Sequence, residues 1–291
     1  GLVGPDGAGK TTLLRILAGV LRPTLGEARV LGISLTRDPE RAKPHLAYMP
    51  QRFGLYEDLT VQENMDFYAD LFAVPVRDRR EREARLYRFS GLAPFRDRLA
   101  GALSGGMKQK LGLSCALIHQ PEVLLLDEPT FGVDPISRRD LWLILHEMVA
   151  SGITVVVSTA YMDEAERADR VALLHEGRLL DLDTPDRLQR TLEGRLVAVE
   201  SPSPRAVRDM LRSAGVPAAL FGETVHAELP SHGETDELGA ILARTGLSTT
   251  SISAVRPSLE DVFIHKVREE EEASAARTSE AGPLPGVDGH A

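Results

Sequence analysis

Three short apolar runs predict strands that are buried on both faces. They lie at residues 123–126, 153–157 and 171–174, and each consists of aliphatic and β-branched residues with few polar interruptions. Because successive positions are apolar, these strands fit a parallel sheet covered by helices better than a half-exposed antiparallel one. Helical patterns separate the runs, which is typical of βαβ units. The alternation therefore predicts an α/β fold with a parallel sheet core.

A different pattern occupies the region from about 52 to 120, where strand-like runs disappear. Thr60 precedes an amphipathic stretch, and Glu63 stands three residues later at the reciprocal capping position, so a helix is predicted from here to Phe72. A second, strongly charged helix is predicted from Asp78 to Phe89. We interpret this region as a helical insertion into the sheet domain.

Beyond Pro185 the pattern predicts a separate, small α+β domain. A strand at 196–200, a helix at 204–214, two strands within 218–229, a helix at 235–245 and a strand at 248–255 give the order βαββαβ. This order is typical of a ferredoxin-like domain. A last helix is expected to begin at Ser258, and a tail rich in Glu, Ala, Ser, Pro and Gly is expected to be disordered. The predicted boundaries are 1–189 for the sheet domain, 190–266 for the small domain and 267–291 for the tail or linker.

Composition narrows the class of protein. The 291 residues are 43% hydrophobic and 26% charged, which is ordinary for a globular chain. A net charge of −9 argues against a general nucleic-acid binder, because phosphate recognition needs a basic surface. The single cysteine, Cys115, lies in an apolar stretch and is expected to be buried and inert. No apolar run approaches the roughly 20 residues that cross a bilayer, so a membrane role requires a partner.

The most informative motif lies near the start of the chain and fits the phosphate-loop pattern G-x-x-x-x-G-K-[ST]. Its glycines let successive backbone amides point toward nucleotide phosphates, Lys10 would reach the β- and γ-phosphates, and Thr11 would bind Mg²⁺. Gly1 begins only the tail of the strand that should lead into this loop, so we expect a preceding segment. The candidate nucleotide-binding residues are Gly4, Pro5, Asp6, Gly7, Ala8, Gly9, Lys10, Thr11 and Thr12.

Two carboxylates end the apolar run at 123–126. Asp127 suits a position beside Mg²⁺, and Glu128 suits a base that polarises the attacking water in phosphoryl transfer. The alternative interpretation is a strand followed by an ordinary acidic turn. A phosphate loop earlier in the chain favours the catalytic interpretation.

A Ser-Gly-Gly turn, Ser104-Gly105-Gly106, opens a predicted helix and offers a hydroxyl, free amides and a helix dipole to an anion. Together with the phosphate loop and the Asp-Glu pair, it resembles the signature motif of ABC-family ATPases. The resemblance covers about residues 1–265. It implies a P-loop NTPase fold with a RecA-like parallel sheet core, a helical ABC subdomain and bound ATP with Mg²⁺.

The resemblance also places further family elements. Gln51 corresponds to the Q-loop glutamine, which contacts Mg²⁺ or the attacking water, and residues 131–135 are similar to the D-loop, with Asp134 facing a partner domain. Segments 53–60 and 257–263 are similar to drug-exporter ATPases that work with ABC-2-type permeases. Such proteins dimerise head to tail on the cytoplasmic face of the membrane. Ser104, Gly105 and Gly106 would then contact the nucleotide of the partner domain.

One position departs from the family pattern, because Ala160 stands where the switch histidine is expected. A methyl group cannot donate a hydrogen bond to the γ-phosphate, and the neighbouring Tyr161 should point to the other side of the strand. We therefore expect slow hydrolysis at this chain's own site and an unlike second ATPase domain, either fused or separate.

Two alternatives follow for the function. A largely non-hydrolysing regulatory domain is favoured by Ala160 and opposed by Glu128. A soluble ABC ATPase acting on DNA or ribosomes would need coiled-coil or basic insertions between Gln51 and Leu103, and the sequence has none there. Selectivity for a transported substrate belongs to the membrane partner, so the sequence does not identify the substrate.

Overall fold

The computed structural model describes residues 1–52, 54–229, 235–244 and 251–280. The chain divides into two compact units, one formed by Gly1–Arg167 with Ala172–Leu179 and the other by Ala168–Val171 with the chain from Leu180 onward. Within the described ranges, no helix has both the length and the apolar character needed to cross a membrane.

The first unit alternates strands and helices as the apolar pattern predicts. Its elements, followed to the end of the last sheet strand, are β1 (Leu2–Val3), α1 (Lys10–Leu17), β2 (Arg29–Val30), β3 (Ile33–Ser34), β4 (Leu46–Met49), α2 (Val61–Leu71), α3 (Val76–Ser90), α4 (Gly105–Leu117), β5 (Val123–Asp127), α5 (Pro135–Ala150), β6 (Thr154–Thr159), α6 (Met162–Ala165), β7 (Val171–His175) and β8 (Arg178–Asp183).

Six of these strands form one sheet in the order β4-β5-β6-β1-β7-β8. The pairs from β4 through β5, β6 and β1 to β7 are all parallel, so their carboxyl ends meet at one edge. The three apolar runs lie in β5, β6 and β7, which confirms the predicted sheet core. Leu124 and Leu126 on β5 are fully buried because helices cover both faces of the sheet.

The predicted helical insertion is confirmed by α2, α3 and α4. The backbone N–H of Thr60 donates to Glu63 Oε2 at 2.7 Å, and the N–H of Glu63 donates to Thr60 Oγ1 at 3.1 Å, which completes the predicted capping box. Met65 on α2 and Leu111 on α4 are fully buried in the same apolar cluster as Leu124 of the sheet. The insertion is therefore packed onto the sheet core of its unit.

The second unit contains the predicted βαββαβ order. Its four-stranded sheet is antiparallel, and its strands lie in the order Ala218–Phe221 (β10), Thr224–Glu228 (β11), Leu196–Glu200 (β9) and Ser251–Ala254 (β12). Residues 245 and 248–250, which the sequence assigned to a helix end and a strand start, lie outside the described residues. The elements are α7 (Pro185–Arg190), β9 (Leu196–Glu200), α8 (Pro204–Ser213), β10 (Ala218–Phe221), β11 (Thr224–Glu228), α9 (Thr235–Arg244), β12 (Ser251–Ala254) and α10 (Leu259–Glu280).

The last helix, α10, differs from the expectation that residues 267–291 form a disordered tail or linker. It begins after Ser258 as predicted, but it continues through residues 267–280, where a disordered linker was expected. This stretch consists mainly of Glu, Ala and Arg, which are strong helix formers, and Arg268 pairs with Glu272 one turn later at 3.6 Å. Residues 281–291 of the predicted tail lie outside the described residues. The predicted end of the sheet domain at residue 189 stays a prediction. The two compact units divide near Leu180.

The start of α10 generates a pH prediction. Burial by itself raises the pKa of Asp261, but hydrogen bonds with His226 and Ser258 outweigh it and hold the pKa below its usual value. A lowered pKa stabilises the folded state above the unfolded-state value and loses that contribution as the pH falls through the folded-state value. We expect the second unit to lose stability below about pH 4, and Asp261→Asn to reduce this dependence.

Urea unfolding followed by circular dichroism between pH 3 and pH 6 measures the effect. The matched control is Asp209→Asn, since Asp209 is exposed on α8 of the same unit. Equal pH slopes for the two variants would contradict the assigned role of Asp261.

Candidate functional site

The phosphate loop joins β1 to α1, and the Lys10 side chain folds back across it. Gly9 adopts φ 99° at the start of α1, in the left-handed region that glycine enters without strain. The Lys10 ammonium group, 4% exposed, donates to the carbonyl oxygens of Gly4 at 2.8 Å and Pro5 at 3.1 Å. A positive charge therefore lies beside a helix N-terminus, where an anion is favoured. Among the other loop residues, Asp6, Gly7 and Thr12 are exposed and Ala8 is buried.

Asp127, at the end of β5, accepts hydrogen bonds from three hydroxyl groups. Its Oδ1 accepts from Ser158 Oγ at 2.7 Å and from Thr11 Oγ1 at 3.1 Å, and its Oδ2 accepts from the Tyr48 hydroxyl at 3.3 Å. Burial and the charge of Asp127 raise the pKa of Tyr48, which keeps the phenol protonated as a donor. The structure thus places Thr11 and Asp127 together, and both present the hard oxygen atoms that Mg²⁺ prefers.

Glu128 is held in a strained conformation by its neighbours. Its φ is 48°, a region that costs a non-glycine residue about 1–3 kcal/mol and that clusters at functional sites. The Oε1 atom lies 3.3 Å from Lys10 Nζ, and Gln51 Nε2 donates to Oε2 at 3.0 Å. Its backbone N–H donates to Ser158 Oγ at 3.0 Å. Lys10, Gln51 and Glu128, which lie far apart in sequence, therefore converge.

The Ser-Gly-Gly turn lies at the start of α4 in the first unit. Ser104 caps α4 by accepting from the Met107 N–H at 3.3 Å, and both Ser104 and Gly105 are exposed. A Cβ on Gly106 would collide with the Ser137 side chain on α5, so only glycine permits this close approach of the two helices. In the described part of the chain, no hydrogen bond or ion pair joins this turn to the phosphate loop.

The turn before α5 has its own cap. Asp134 Oδ1 accepts from the N–H groups of Ile136 at 3.1 Å and Ser137 at 2.9 Å. Hydrogen bonds from the Ser137 side chain and backbone lower the pKa of Asp134. The carboxylate is therefore held ionised at the surface beside the Ser-Gly-Gly turn.

A buried ion-pair cluster, formed by Glu164 with Thr130, Thr159 and Arg138, lies behind the carboxylate pair. Glu164 is 1% exposed, and its Oε2 accepts from Thr130 Oγ1 at 2.7 Å and from Thr159 Oγ1 at 3.0 Å. Arg138 Nε on α5 lies 3.1 Å from Glu164 Oε1, in an ion pair whose angle is not that of a hydrogen bond. The cluster ties the end of β6 to the turn after Glu128 and to α5.

Ala160, where the resemblance leads us to expect the switch histidine, is exposed and carries no polar side-chain atom. The ring of Tyr161 packs against the Arg138 guanidinium, whose carbon lies 4.7 Å from the ring centre. This contact accounts for the direction of Tyr161 through a cation–π interaction. The tyrosine is thus engaged with α5.

Sequence reasoning missed Ser158, Tyr48 and the buried ion-pair cluster. A signal existed for Ser158, because a polar residue directly follows the apolar run of β6 at the same sheet edge as Asp127. Arg138 and Glu164 carried no comparable signal, since their contact depends on how α5 packs.

The parallel sheet, the phosphate loop and the carboxylates at the carboxyl edge define a P-loop NTPase fold. The ABC transporter family profile matches residues 1–131. Daunorubicin resistance ATP-binding protein DrrA2 of Streptomyces coeruleorubidus is 37% identical over 95% of this chain and 89% of its own length. The chain therefore belongs to the family of ABC transporter ATP-binding proteins.

Other similar proteins agree with this assignment. The probable multidrug ABC transporter ATP-binding protein YbhF of Escherichia coli K12 is 46% identical over 91% of this chain. The chain spans 46% of the length of YbhF, about half. Among solved structures, an ATP-binding subunit of an ABC transporter is 31% identical with a TM-score of 0.59, covering 65% of this chain and 80% of that one.

A solved structure with bound products is also similar. The dimeric post-hydrolysis cassette MJ0796, bound to ADP and Pi, is 26% identical with a TM-score of 0.57. The match covers 63% of this chain and 83% of that one. The ATP-binding domains of this family are ATPases.

The buried ion-pair cluster generates a stability prediction. Arg138→Ala leaves the Glu164 carboxylate buried without its cation, and we expect a loss of about 3 kcal/mol in unfolding free energy, the low end for a broken buried pair because Arg138 is partly exposed. Urea unfolding measures it. Arg139→Ala, at an exposed neighbour on α5, should change stability by less than about 0.5 kcal/mol. Equal losses in the two variants would contradict the role of the pair.

Proposed function

We propose that the chain is the ATP-binding and ATP-hydrolysing subunit of a membrane exporter. The observation that carries this proposal is the convergence of Lys10, Gln51, Asp127 and Glu128 beside the phosphate loop. The exporter role is supported by the names of its relatives, which are a probable multidrug ABC transporter ATP-binding protein, a daunorubicin resistance ATP-binding protein and a Nod factor export ATP-binding protein. A separate permease, of ABC-2 type, would carry the transported molecule.

The residues present fit both ATP and Mg²⁺. Lys10 and the loop amides offer positive electrostatic potential to the phosphates, since the lysine is buried beside the start of α1. The oxygen donors for Mg²⁺ would be Thr11, whose hydroxyl lies 3.1 Å from Asp127 Oδ1, together with Asp127 and Gln51. When bound, the ion would neutralise charge on the phosphates.

Glu128 is assigned the role of general base. Its carboxylate points to Lys10 and Gln51, so it lies where a water attacking the terminal phosphate would need to lose a proton. The amide of Gln51, 3.0 Å from Glu128 Oε2, would orient both the carboxylate and the water. Ser158 holds the Glu128 backbone in place.

The second half of each ATP site is proposed to come from another ATPase domain. Ser104 and Gly105 are exposed at the start of α4, and within the described ranges no hydrogen bond or ion pair joins them to this chain's own loop, which supports binding of the partner's nucleotide. That domain is proposed to be homologous but unlike this one, either separate or fused. The assembly would lie on the cytoplasmic face of the membrane, with the region near residues 52–70 transmitting motion to the permease.

A second candidate function is a largely non-hydrolysing regulatory domain of an asymmetric transporter. Ala160 favours it, because this position has no donor for the γ-phosphate and Tyr161 is turned toward Arg138. Single-turnover hydrolysis in the intact transporter, with and without Glu128→Gln, distinguishes the two candidates. A Glu128-dependent turnover supports the hydrolysing subunit.

The proposed nucleotide site generates a binding prediction. Lys10→Ala should weaken Mg-ATP binding by about 10- to 100-fold, because a charge-assisted contact to phosphate contributes about 1.5–3 kcal/mol. Titration with a fluorescent ATP analogue measures this. The control Lys43→Ala removes an exposed lysine that pairs with Glu40 away from the loop. Unchanged affinity in Lys10→Ala would overturn the proposed function.

The switch position generates a rate prediction. In the assembled transporter, Ala160→His should raise hydrolysis at this chain's site by roughly 10²–10³-fold, as expected for one added transition-state donor. Rapid-quench single-turnover assays measure the rate. Tyr161→His, which places the imidazole at the neighbouring position, should give no such gain. An unchanged rate in Ala160→His would show that the missing histidine does not limit this site.

A further inference from the structure

A cavity of about 260 Å³ lies in the first unit, away from the phosphate loop. It is bounded by α3, by the turn between α4 and β5, and by the end of α5 with the turn into β6. Val123 begins β5 beside this cavity, whereas Asp127 ends β5 at the phosphate site, about 13 Å away at 3.3 Å per strand residue. The cavity is therefore separate from the nucleotide site.

The inner wall of the cavity is apolar. Leu86 and Phe89 of α3 face Leu117 at the end of α4, Met148 of α5 and Ile153 before β6. Leu86, Leu117 and Met148 are each at least 90% buried. An engineered cavity of about 150 Å³ with such a lining binds benzene, so about 260 Å³ is enough for a fused aromatic ring or a short acyl chain.

The mouth of the cavity is basic. Arg82 Nη1 donates to the Ile118 carbonyl at 3.1 Å, and its Nη2 lies 3.8 Å from Asp78. Arg85 also lines the cavity and is exposed, and among the described residues it has no hydrogen-bonding or ion-pairing partner. An unpaired guanidinium at an apolar opening complements a carboxylate, sulfonate or phosphate.

One acidic residue, Glu122, lines the cavity, and its Oε1 lies 2.7 Å from His45 Nδ1. The two lining arginines, Arg82 and Arg85, outnumber it, so the lining carries a net positive charge. The helix that supplies the basic mouth is itself rich in arginine: α3 carries Arg77, Arg79, Arg80, Arg82, Arg85 and Arg88 against Asp78, Glu81 and Glu83.

The backbone conformation of one cavity residue also supports a ligand-binding role for this cavity. Gln120, which lines it, has φ 58° in the left-handed region. Such strain in a non-glycine residue costs about 1–3 kcal/mol and recurs at ligand-binding positions. The turn between α4 and β5 is thus held in an uncommon conformation where it forms the cavity wall.

We propose that this cavity binds a small amphiphilic anion, with an aromatic or short acyl group against the apolar wall and one acidic group at Arg85. The ligand would contact α3 of the helical insertion on one side and α5 and the start of β5 on the other. It would thereby bridge the insertion and the sheet core within the first unit.

Isothermal titration of the full chain with naphthalene-2-sulfonate, in saturating ADP, tests the proposal. We expect saturable one-site binding, and at least about tenfold weaker binding of the neutral naphthalene-2-methanol, because a charged hydrogen bond is lost. Arg85→Gln should weaken sulfonate binding by about tenfold. Arg80→Gln, on the same helix and exposed but outside the cavity, should leave the affinity within about twofold, as expected when no contact is lost.

Several results would overturn the proposal. They are no binding at millimolar sulfonate, equal affinity for the alcohol and the sulfonate, equal effects of Arg85→Gln and Arg80→Gln, and binding of the sulfonate only when ADP is left out. The last result would assign the anion to the phosphate loop.

Discussion

The phosphate site depends on compensating two adjacent carboxylates at the end of a buried strand. Removing an unpaired carboxylate from water costs several kcal/mol, so each of these charges requires donors. Asp127 receives three hydroxyl hydrogen bonds, and Glu128 is matched by Lys10 and Gln51. The contacts that stabilise these two carboxylates also place a cation, an amide and a hydroxyl around the proposed phosphate position.

Parallel strand pairing explains why these groups meet. The phosphate loop follows β1, Gln51 follows β4, the carboxylates end β5, and Ser158 lies near the end of β6. In the order β4-β5-β6-β1, all four carboxyl ends lie along one edge. This is the edge where open α/β sheets bind ligands. The proposed hydrolysis site thus depends on strand order as well as on residue type.

A second layer of contacts connects the site to its surroundings. The buried ion-pair cluster joins the segment after β6 to the turn after Glu128 and to α5, and α5 in turn packs closely on Gly106 at the start of α4. The segment after β6, the turn after Glu128 and the start of α4 are therefore linked through contacts with α5. Ala160 adds no polar side chain to these contacts, while the backbone N–H of Tyr161 next to it donates to Thr159 Oγ1 at 3.0 Å.

The sequence alone determined the structural elements that depend on interactions between residues close together in the chain. The phosphate loop, the apolar strands, the Thr60 cap and the βαββαβ order were all predicted, because backbone conformation and side-chain periodicity depend on near neighbours. Tertiary structure decided the rest. Ser158 meets Asp127 across 31 positions and Glu164 meets Arg138 across 26, contacts that only the packing of β6 and α5 on β5 creates. The course of α10 past residue 267 was also missed, because a charged, alanine-rich stretch is equally compatible with a solvated linker and with a helix.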